Sequence, residues 1–270
     1  GRPAGVVRFC NIRTMKHLYI LTGASRGMGL ALAEQLLKPE HTVLCISRQT
    51  NAALAAQASS LGCPLEQWQL DLADASTASS RLAYWLRTSS GNNGSHWASA
   101  TLINNAALLP RIAPLAAMEL ADHAPMAQAL RVGLEAPLLL TSIFLHASST
   151  WSCPRKVLNI SSGNGRRPMA SQATYSAVKA GMDHFTRCLA VEEASKTNGA
   201  KVCSLAPGVI DTDMQVHLRG ASADDFADRN TFVGLKMNGQ LTSPHDAAAR
   251  LLAYLARPDF GSNPVADVRD

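Results

Sequence analysis

The chain has 270 residues, of which 47% are hydrophobic and 17% charged, and its formal net charge is +5. This is the composition of a soluble globular protein, and the length allows about three quarters of the unfolded surface to be buried. The basic residues are scattered, which indicates a solvated surface or attraction to a small anionic ligand, so we expect no nucleic acid partner. No apolar run reaches the length of about 20 residues that a membrane span needs, so we expect no membrane partner.

The cysteine pattern and the first residues bear on the compartment and the domain boundaries. The six cysteines show no C-x-x-C spacing and stand mostly in apolar runs, where a free cysteine behaves as a small buried hydrophobe. We therefore expect a reduced, cytoplasmic protein. Residues 1–14 contain basic residues but no long apolar segment, so they make a poor signal peptide. We predict that they are a tag or an upstream extension before Met15, and that residues 15–270 form one domain.

The first predicted element is a strand that ends at Thr22 and leads into a glycine-rich turn. Glycines follow at Gly23, Gly27 and Gly29, and a helical pattern begins directly after them. A strand, a tight turn and a helix N-terminus in this order present backbone N–H groups and a positive helix dipole to a phosphate. The spacing G-x-x-x-G-x-G differs from the standard G-x-G-x-x-G. By itself it fits an ordinary strand–helix connection equally well.

Strands and helices alternate along the rest of the chain. Apolar runs predict strands at 16–22, 42–47, 65–70, 101–104, 156–161, 201–205 and 264–268. Helical patterns occupy 30–37, 52–60, 76–87, 115–148, 173–194 and 244–256, with 115–148 divided into two helices, while 89–95 and 211–240 are predicted to be polar and irregular. The second helix of 115–148 is predicted to start near Met126. Continuous apolar strands between helices indicate an α/β protein, a single-domain Rossmann fold with a doubly wound parallel sheet of about seven strands.

Small, polar and chain-breaking residues follow the predicted strands. In a doubly wound sheet, ligands bind at the carboxyl ends of the strands, so these residues are candidates for a binding site. They are residues 23–29, Ser47, Arg48, Asp71, Leu72, residues 104–107, Ser161, Ser162 and residues 207–212. A purely structural domain would not need such a concentration at one edge of the sheet.

Tyr175 and Lys179 provide the strongest chemical signal. They are four residues apart in a predicted helix and therefore lie on one face of it. An ammonium beside a phenol favours the phenolate, so we predict that Lys179 lowers the pKa of Tyr175 below its ordinary value of about 10. Such a phenol can pass a proton to a carbonyl oxygen. The hydroxyl of Ser162, at the end of the preceding strand, could hold the same oxygen.

These motifs together resemble the short-chain dehydrogenase/reductase family. The matching stretches are residues 22–29 (T-G-A-S-R-G-M-G), Asp71-Leu72, residues 104–107 (N-N-A-A), Ser162, Tyr175-x-x-x-Lys179, and Pro207-Gly208 with Thr212. They occur in the family's order over residues 16–256, and the joint match is specific although each piece alone is not. The short C-terminus, which lacks the family's common Asp-Gly-Gly ending, resembles the sepiapterin reductase or benzil reductase branch.

The resemblance implies an oxidoreductase that moves a hydride between a nicotinamide and a carbonyl or alcohol. Tyr175 would be the general acid in reduction and the base in oxidation, Lys179 would also bind the nicotinamide ribose, and Ser162 would orient the substrate carbonyl. The other matching residues would hold the dinucleotide. They are Gly23, Ser25, Arg26, Gly27, Met28 and Gly29 in the turn, Asp71 and Leu72 beside the adenine, Asn104 and Ala106 in the cleft, and Pro207, Gly208, Val209 and Thr212 at the nicotinamide.

Charge near the turn predicts which dinucleotide is bound. An NAD-binding chain would carry an acidic residue at the position of Ser47, where it accepts hydrogen bonds from the ribose 2′-hydroxyl. Ser47 does not repel a 2′-phosphate, and Arg26 and Arg48 could make charge-assisted contacts with one. We therefore expect NADP(H) to be preferred over NAD(H). Two solvated surface arginines are the alternative interpretation.

One residue departs from the family pattern. The family usually has an asparagine, in a segment like Asn-x-x-x-Pro, on the helix before the fifth strand, and Gly133 stands there in this chain. Glycine cannot hold the water that usually links Lys179 to solvent, so a water or a backbone carbonyl takes over this task or the proton relay is impaired. A shifted register is a further alternative. An impaired relay would fit a low-activity NADP(H)-binding sensor or structural homologue, whereas the intact Ser162, Tyr175 and Lys179 favour an enzyme.

The remaining expectations concern the substrate and the assembly. Residues 213–240 carry apolar side chains that could close over a small-molecule carbonyl or alcohol substrate and exclude water. The eight histidines are dispersed without metal-ligand spacing, so we expect no metal. The resemblance implies a homodimer or homotetramer that forms through the helices at 126–146 and 173–194.

Overall fold

The computed structural model of the protein describes residues 16–89, 94 and 96–270. The predicted extension at 1–14 and most of the predicted polar loop at 89–95 lie outside the described residues. The strands are β1 (Lys16–Thr22), β2 (His41–Ser47), β3 (Leu65–Gln69), β4 (Trp97–Asn104), β5 (Arg155–Ile160), β6 (Lys201–Ala206) and β7 (Val265–Asp267). In the described part these seven strands form one parallel sheet in the order β3-β2-β1-β4-β5-β6-β7.

Helices cover both faces of this sheet. They are α1 (Gly27–Leu36), α2 (Ala52–Leu61), α3 (Ala75–Ser89), α4 (Leu120–Leu130), α5 (Ala136–Ala147), α6 (Ala173–Ala194), α7 (Asp213–Gly220), α8 (Arg229–Met237) and α9 (Pro244–Ala256). Short 3₁₀ turns lie at Leu115–Ala117 and Gly163–Gly165, and a π-helical turn lies at Arg131–Glu135. Helices α1, α2 and α9 pack on one face, and α3, α5 and α6 pack on the other. The doubly wound Rossmann fold predicted from the sequence is thereby confirmed.

Alternate residues of the central strands point to opposite faces of the sheet. On β1, Leu21 belongs to the core under α1 and α9, and Ile20 belongs to the core under α3 and α5. On β4, Ile103 and Leu102 divide in the same way. All four side chains are fully buried. The continuous apolar runs in the sequence therefore correspond to strands that are buried on both faces.

The sheet has its topological switch point between β1 and β4. Strand β1 pairs with β2 on one side and with β4 on the other. Connections leave these two strands in opposite directions, so a crevice opens at their carboxyl ends. Thr22 ends β1 and Asn104 ends β4. Residues 23–29 and 104–107 consequently border the same crevice.

The segment 115–148 does not form the predicted pair of helices with a second start near Met126. One continuous helical run extends over residues 120–147, with the π turn in its middle. In this turn the Ala136 N–H donates to the Arg131 carbonyl. The wider turn directly precedes Pro137, whose ring cannot follow a regular α-helical turn without a clash.

The sequence analysis expected no segment of the length and hydropathy of a membrane span, and this helical run corrects that expectation. Its 28 residues include a window of mean hydropathy 1.3, so by length and composition this helix could cross a membrane. Of that window, 44% is buried inside the protein. Leu140 and Phe144 are fully buried in the core that α5 shares with α3. The helix thus has the length of a membrane span and the position of a core helix.

The prediction that residues 213–240 are irregular is wrong. They contain the helices α7 and α8. Leu218, Phe226 and Phe232 pack with Ile112 in a small core of their own. The rings of Phe226 and Phe232 stack with their centroids 5.6 Å apart. Helices this short have too few turns to show a clear amphipathic pattern in the sequence. We call residues 213–240 the lid.

Two other element boundaries differ from the prediction by three residues or more. Helix α1 begins at Gly27 and not at residue 30. Strand β4 begins at Trp97 and not at residue 101, because the Trp97 side chain is buried in the core. The Ser99 hydroxyl also hydrogen-bonds His17 Nδ1 across the strands at 2.8 Å. Contacts with the neighbouring strand therefore extend β4 beyond its apolar run.

Candidate active site

The glycine-rich turn depends on backbone positions that exclude side chains. Gly23 and Gly27 have φ angles of +71° and +56°, in the left-handed region that favours glycine. A Cβ atom on Gly29 would lie 2.0 Å from the Gly23 carbonyl oxygen. Ser25 is half-buried in the turn, and Arg26 is the N-cap of α1 without a side-chain cap. The first N–H groups of α1 have no intrahelical acceptor and can bind an anion.

Neighbouring strand ends hold this turn in place. The Ser47 hydroxyl, at the end of β2, accepts a hydrogen bond from the Ala24 N–H at 2.7 Å. The Asn105 amide donates to the carbonyls of Thr22 and Gly23 at 3.0 and 3.2 Å. The Thr22 hydroxyl accepts from the Asn105 N–H at 3.0 Å. The predicted site omits Asn105 as a separate residue, although the paired asparagines after β4 are visible in the sequence.

Three predicted cofactor residues have side chains that lie beneath the crevice and not in it. Asn104 is 1% exposed and donates to Thr141 Oγ1 at 3.1 Å and to Asn159 Oδ1 at 2.8 Å. The Met28 and Leu72 side chains belong to the two large cores. Contact of these three residues with a dinucleotide through their backbones stays a prediction.

Two other predicted cofactor residues lie nearer to solvent. The exposed Asp71 carboxylate accepts a hydrogen bond from the Ala73 N–H at 2.9 Å, which closes the turn after β3. Ala106 is half-buried, and a Cβ on Gly23 would lie 2.9 Å from the Ala106 Cα. The segment after β4 therefore packs directly against the glycine-rich turn.

The two arginines that are predicted to bind a 2′-phosphate are both exposed. Arg48 follows the last residue of β2. Arg26 Nη1 donates to Asp213 Oδ2 at 2.8 Å, and Asp213 is the first residue of α7. The side chains of this ion pair are 69% and 77% exposed, so the pair contributes little to stability. Arg26 can therefore exchange Asp213 for another anion.

The chain beyond β6 also reaches the glycine-rich turn. Pro207, Gly208 and Val209 follow β6 and lead to Thr212. The Thr212 Cγ2 atom lies 3.8 Å from the position of a Cβ on Gly27. The structure thus places the predicted residues 207–212 between the turn and the lid.

Ser162, Tyr175 and Lys179 meet at the carboxyl end of β5. Ser162 lies close enough to Tyr175 to act on the pKa of its phenol. Lys179 lies one turn further along α6, with its Nζ atom 5.6 Å from the centroid of the Tyr175 ring. The same Nζ donates to the Ile160 carbonyl at 2.6 Å. Helix α6 supplies a phenol and an ammonium, and the end of β5 supplies a hydroxyl next to them.

Burial controls the protonation of this cluster. It raises the pKa of Tyr175 to about 12, although Ser162 acts in the opposite direction. It also lowers the pKa of Lys179 to about 8, and the nearby Asp183 opposes this shift. The prediction that Lys179 brings the pKa of Tyr175 below about 10 is therefore wrong, because desolvation of the buried phenolate has the largest effect on this group. At pH 7 the cluster holds a neutral phenol beside a protonated lysine.

Gly133 lies in the π turn, where the helix crosses α6. A Cβ atom on Gly133 would lie 2.5 Å from Val178 Cγ1, and Val178 immediately precedes Lys179. The structure therefore places Gly133 beside the helix that carries Lys179. The close approach of two helices explains why a glycine stands here.

One residue, Leu109, connects a recess beside Tyr175 with the small core of the lid. A small recess next to Tyr175 is lined by Leu109, Pro110 and Gln172 among others, and Leu109 also packs on the small core of the lid. A hydrogen bond attaches the lid to the segment beside this recess: the Ser171 hydroxyl donates to the Asp225 carbonyl at 2.5 Å.

The described residues contain no group of three or more His, Cys, Asp or Glu side chains that could hold a metal ion. Free cysteines in the described part are Cys45, Cys63, Cys153, Cys188 and Cys203, and all except Cys188 are buried. Cys10 lies outside the described residues.

The fold and this site together define a class of protein, an oxidoreductase built on a dinucleotide-binding Rossmann fold. The family model for short chain dehydrogenase matches residues 17–222. A benzil reductase ((S)-benzoin forming) of Bacillus cereus is 35% identical over 246 residues, which are 91% of this chain and 96% of the relative. A sepiapterin reductase of Mus musculus is 32% identical over 258 residues, which are 93% of this chain and 96% of that protein.

A solved structure gives the same result. The short-chain dehydrogenase/reductase from Burkholderia vietnamiensis is 32% identical, with a TM-score of 0.62 over 95% of this chain and 99% of that chain. This chain therefore belongs to the short-chain dehydrogenase/reductase family, in the branch of the sepiapterin and benzil reductases.

Proposed function

We propose that this protein is an NADP(H)-dependent oxidoreductase that interconverts ketone or aldehyde carbonyls and alcohols. The observation that carries the proposal is the cluster of Ser162, Tyr175 and Lys179 at the carboxyl end of β5. Strand β5 is the direct neighbour of β4, whose end borders the crevice of the glycine-rich turn. A substrate carbonyl at this cluster would therefore lie within reach of a dinucleotide in the crevice.

Tyr175 is the proposed proton donor in reduction. Because the pKa of its phenol is about 12, the group is neutral at pH 7 and has a proton to give. A substrate oxygen held by the Ser162 and Tyr175 hydroxyls becomes basic when its carbon receives a hydride, and it then takes the Tyr175 proton. The Lys179 ammonium, 5.6 Å from the ring centroid, stabilises the phenolate that remains. Oxidation uses the same groups in reverse.

The residues around the crevice fit a phosphorylated dinucleotide. The left-handed Gly23 and Gly27 and the free N–H groups of α1 suit a pyrophosphate. The end of β2 carries Ser47 in place of a carboxylate, and Arg26 and Arg48 offer two guanidiniums to a 2′-phosphate. The nicotinamide supplies or accepts the hydride when it is bound.

The proposed substrate is a ketone that carries large apolar groups. Leu109 and Pro110 line the recess beside Tyr175, and Leu109 also packs on the apolar core of the lid, which contains Phe226 and Phe232. The Bacillus cereus relative is described as a benzil reductase that forms (S)-benzoin. An aromatic compound with two adjacent carbonyls is therefore the first substrate to test.

The test is NADPH and NADH oxidation at 340 nm with a panel of diketones, quinones and aldehydes. We expect a higher kcat/KM with NADPH and a loss of at least about 100-fold in kcat for Tyr175→Phe. Arg48→Ala should raise the KM for NADPH by about tenfold and leave NADH unaffected, whereas Arg87→Ala, an exposed arginine on α3, should change neither. A preference for NADH would overturn the cofactor assignment. Cofactor binding without turnover on the whole panel would favour the low-activity sensor.

We also propose a cytoplasmic homodimer or homotetramer without nucleic acid or membrane partners. Leu130 of α4 and Leu138 of α5 are 41% and 43% exposed, which supports contact between copies through this helical run. Light scattering after size-exclusion chromatography tests the assembly. The Leu138→Glu variant should shift the mass towards the monomer, and a monomeric wild type would contradict the proposal.

A further inference from the structure

A buried carboxylate lies directly behind the catalytic cluster. Asp183 is 1% exposed and follows Tyr175 and Lys179 at the same four-residue interval on α6. The three side chains therefore form one stripe along the helix face that packs on the sheet. Burial of an ionised carboxylate is costly unless hydrogen bonds and opposite charges compensate it.

The contacts of Asp183 join several elements that form the site. Its Oδ1 atom accepts hydrogen bonds from the Ser161 hydroxyl at 2.5 Å and from the Ser204 hydroxyl at 2.6 Å. Its Oδ2 atom accepts from Arg166 Nε at 3.3 Å. Arg166 in turn donates to the Ala266 carbonyl at 2.7 Å. One carboxylate thus links α6 to the end of β5, to β6 and, through the guanidinium, to β7.

These contacts bear on both ends of the catalytic cluster. Ser161 is adjacent to Ser162, so its bond to Asp183 fixes the backbone that carries the catalytic hydroxyl. The 3₁₀ turn after Ser162 lies against the same part of α6. A Cβ on Gly165 would lie 2.8 Å from Asp183 Oδ2 and 2.9 Å from the Lys179 carbonyl oxygen.

We propose that Asp183 is a positioning residue of the active site, which fixes Ser162 through Ser161 and places a negative charge behind Lys179 on the same face of α6. The inference rests on the proposed function, since it assigns to Lys179 the stabilisation of the Tyr175 phenolate. Asp183 touches neither substrate nor dinucleotide in this role. It acts through its bonds and through its charge.

The charges around this carboxylate determine how strongly it acts on Lys179. Lys179 and Tyr175 face it along α6, Arg166 faces it from the turn after β5, and Cys203 faces it from β6. Burial raises the pKa of the Cys203 thiol to about 12, so this group is neutral. Arg166 shares the negative charge of Asp183, and its side chain is 30% exposed, which allows solvent to screen it. Asp183 is therefore the negative neighbour that favours the charged form of Lys179.

Removal of the Asp183 charge and removal of the Arg166 charge are expected to shift the titration of Lys179 in opposite directions. Asp183→Asn keeps the shape of the side chain and removes its charge, so Lys179 should lose its proton at a pH lower by about 1 unit. Arg166→Gln removes the competing cation and should move the same titration to higher pH. Glu193→Gln is the matched control, because Glu193 is a buried carboxylate on α6 that bonds Lys196 and the Ala200 N–H away from the site.

The experiment measures kcat/KM for ketone reduction against pH with saturating NADPH. Activity should fall as pH rises through the pKa of Lys179, because the neutral amine no longer stabilises the phenolate. This fall in activity should occur at lower pH in Asp183→Asn and at higher pH in Arg166→Gln. In Glu193→Gln it should occur at the same pH as in the wild type. A fall at an unchanged pH in both Asp183→Asn and Arg166→Gln, or an equal shift in Glu193→Gln, would overturn the proposal. If Asp183→Asn does not fold, Arg166→Gln decides the question alone.

A second measurement separates this inference from the proposed function. The ¹³Cε chemical shifts of lysine-labelled protein report the titration of Lys179 directly, with Lys179→Arg for the assignment. The Lys179 titration should shift between the variants as above even if the protein reduces none of the ketones. A failure of turnover with the expected shifts would refute only the proposed function, and normal turnover without the shifts would refute only the role of Asp183.

Discussion

The substitution Gly133→Ala tests how closely the π turn approaches α6. The new methyl carbon would lie 2.5 Å from Val178 Cγ1, whereas carbon atoms in contact are about 3.5–4.0 Å apart. Val178 is fully buried, and a β-branched side chain in a helix has one strongly preferred rotamer. The overlap of about 1 Å must therefore be relieved by movement of one helix.

The expected loss of stability follows from two opposing effects. Overpacking of a core contact costs about 1–3 kcal/mol, and the better helix propensity of alanine returns up to about 1 kcal/mol. We expect Gly133→Ala to lower the free energy of unfolding by about 1–2 kcal/mol. An asparagine, the residue that is usual in the family, would cost more because its side chain is larger.

Urea unfolding of four proteins measures this effect: wild type, Gly133→Ala, Val178→Ala and the double variant. Val178→Ala removes the clashing methyl, so Gly133→Ala should be neutral or stabilising in that background, which corresponds to a coupling energy of about 1–2 kcal/mol. Full stability of the single variant Gly133→Ala, or an equal cost in both backgrounds, would show that the helix contact does not require glycine.

Three further predictions address the crevice, the lid and the lysine. Asn105→Ala removes two hydrogen bonds to the glycine-rich turn, so the free energy of unfolding should fall by about 1–2 kcal/mol and the KM for NADPH should rise; an unchanged KM would show that the turn needs no such support. Asp213→Asn releases Arg26 from its ion pair and should change the free energy of unfolding by less than about 1 kcal/mol. The same variant should lower the KM for NADPH and not the KM for NADH. Equal effects on both cofactors would contradict a role of Arg26 at the 2′-phosphate. The pKa of Lys179 is about 8 in the folded protein and 10.5 ordinarily, so the unfolded state binds more protons between these values. The free energy of unfolding of the wild type relative to Lys179→Met should therefore rise from about pH 8 to about pH 10, and a flat difference in chemical denaturation would refute the burial of this ammonium.

Local sequence patterns were sufficient for the type and order of most elements. Strands such as β1 and β5 are continuous apolar runs between chain-breaking residues, and this pattern specifies a strand buried on both faces. The boundaries of β4 and the course of residues 115–148 were predicted less well. Strand β4 is extended by contacts with β1, and the helix over residues 120–147 continues through a π turn ahead of Pro137. Neither the strand contacts nor the π turn produces a periodic pattern in the sequence.

The proposed catalytic pair could be picked out from the sequence, because Tyr175 and Lys179 are neighbours on one helix turn. Their protonation was not visible. The pKa of Tyr175 is raised to about 12 because the phenol is buried among residues from distant parts of the chain. The interval of four residues indicates that two side chains meet, but it carries no information about the solvent around them.

Local periodicity and short motifs in the sequence were thus enough to predict the parallel α/β architecture, the glycine-rich turn and the residues of the proposed catalytic cluster. Which side chains face the crevice depends on the packing of distant elements, and this packing buries the Asn104 side chain beneath it. It also brought Asp183 to Ser161 and Ser204, which are 22 and 21 residues away. The physical reason is that burial, electrostatic fields and close helix contacts arise between elements that the fold brings together, and the spacing along one element does not encode them.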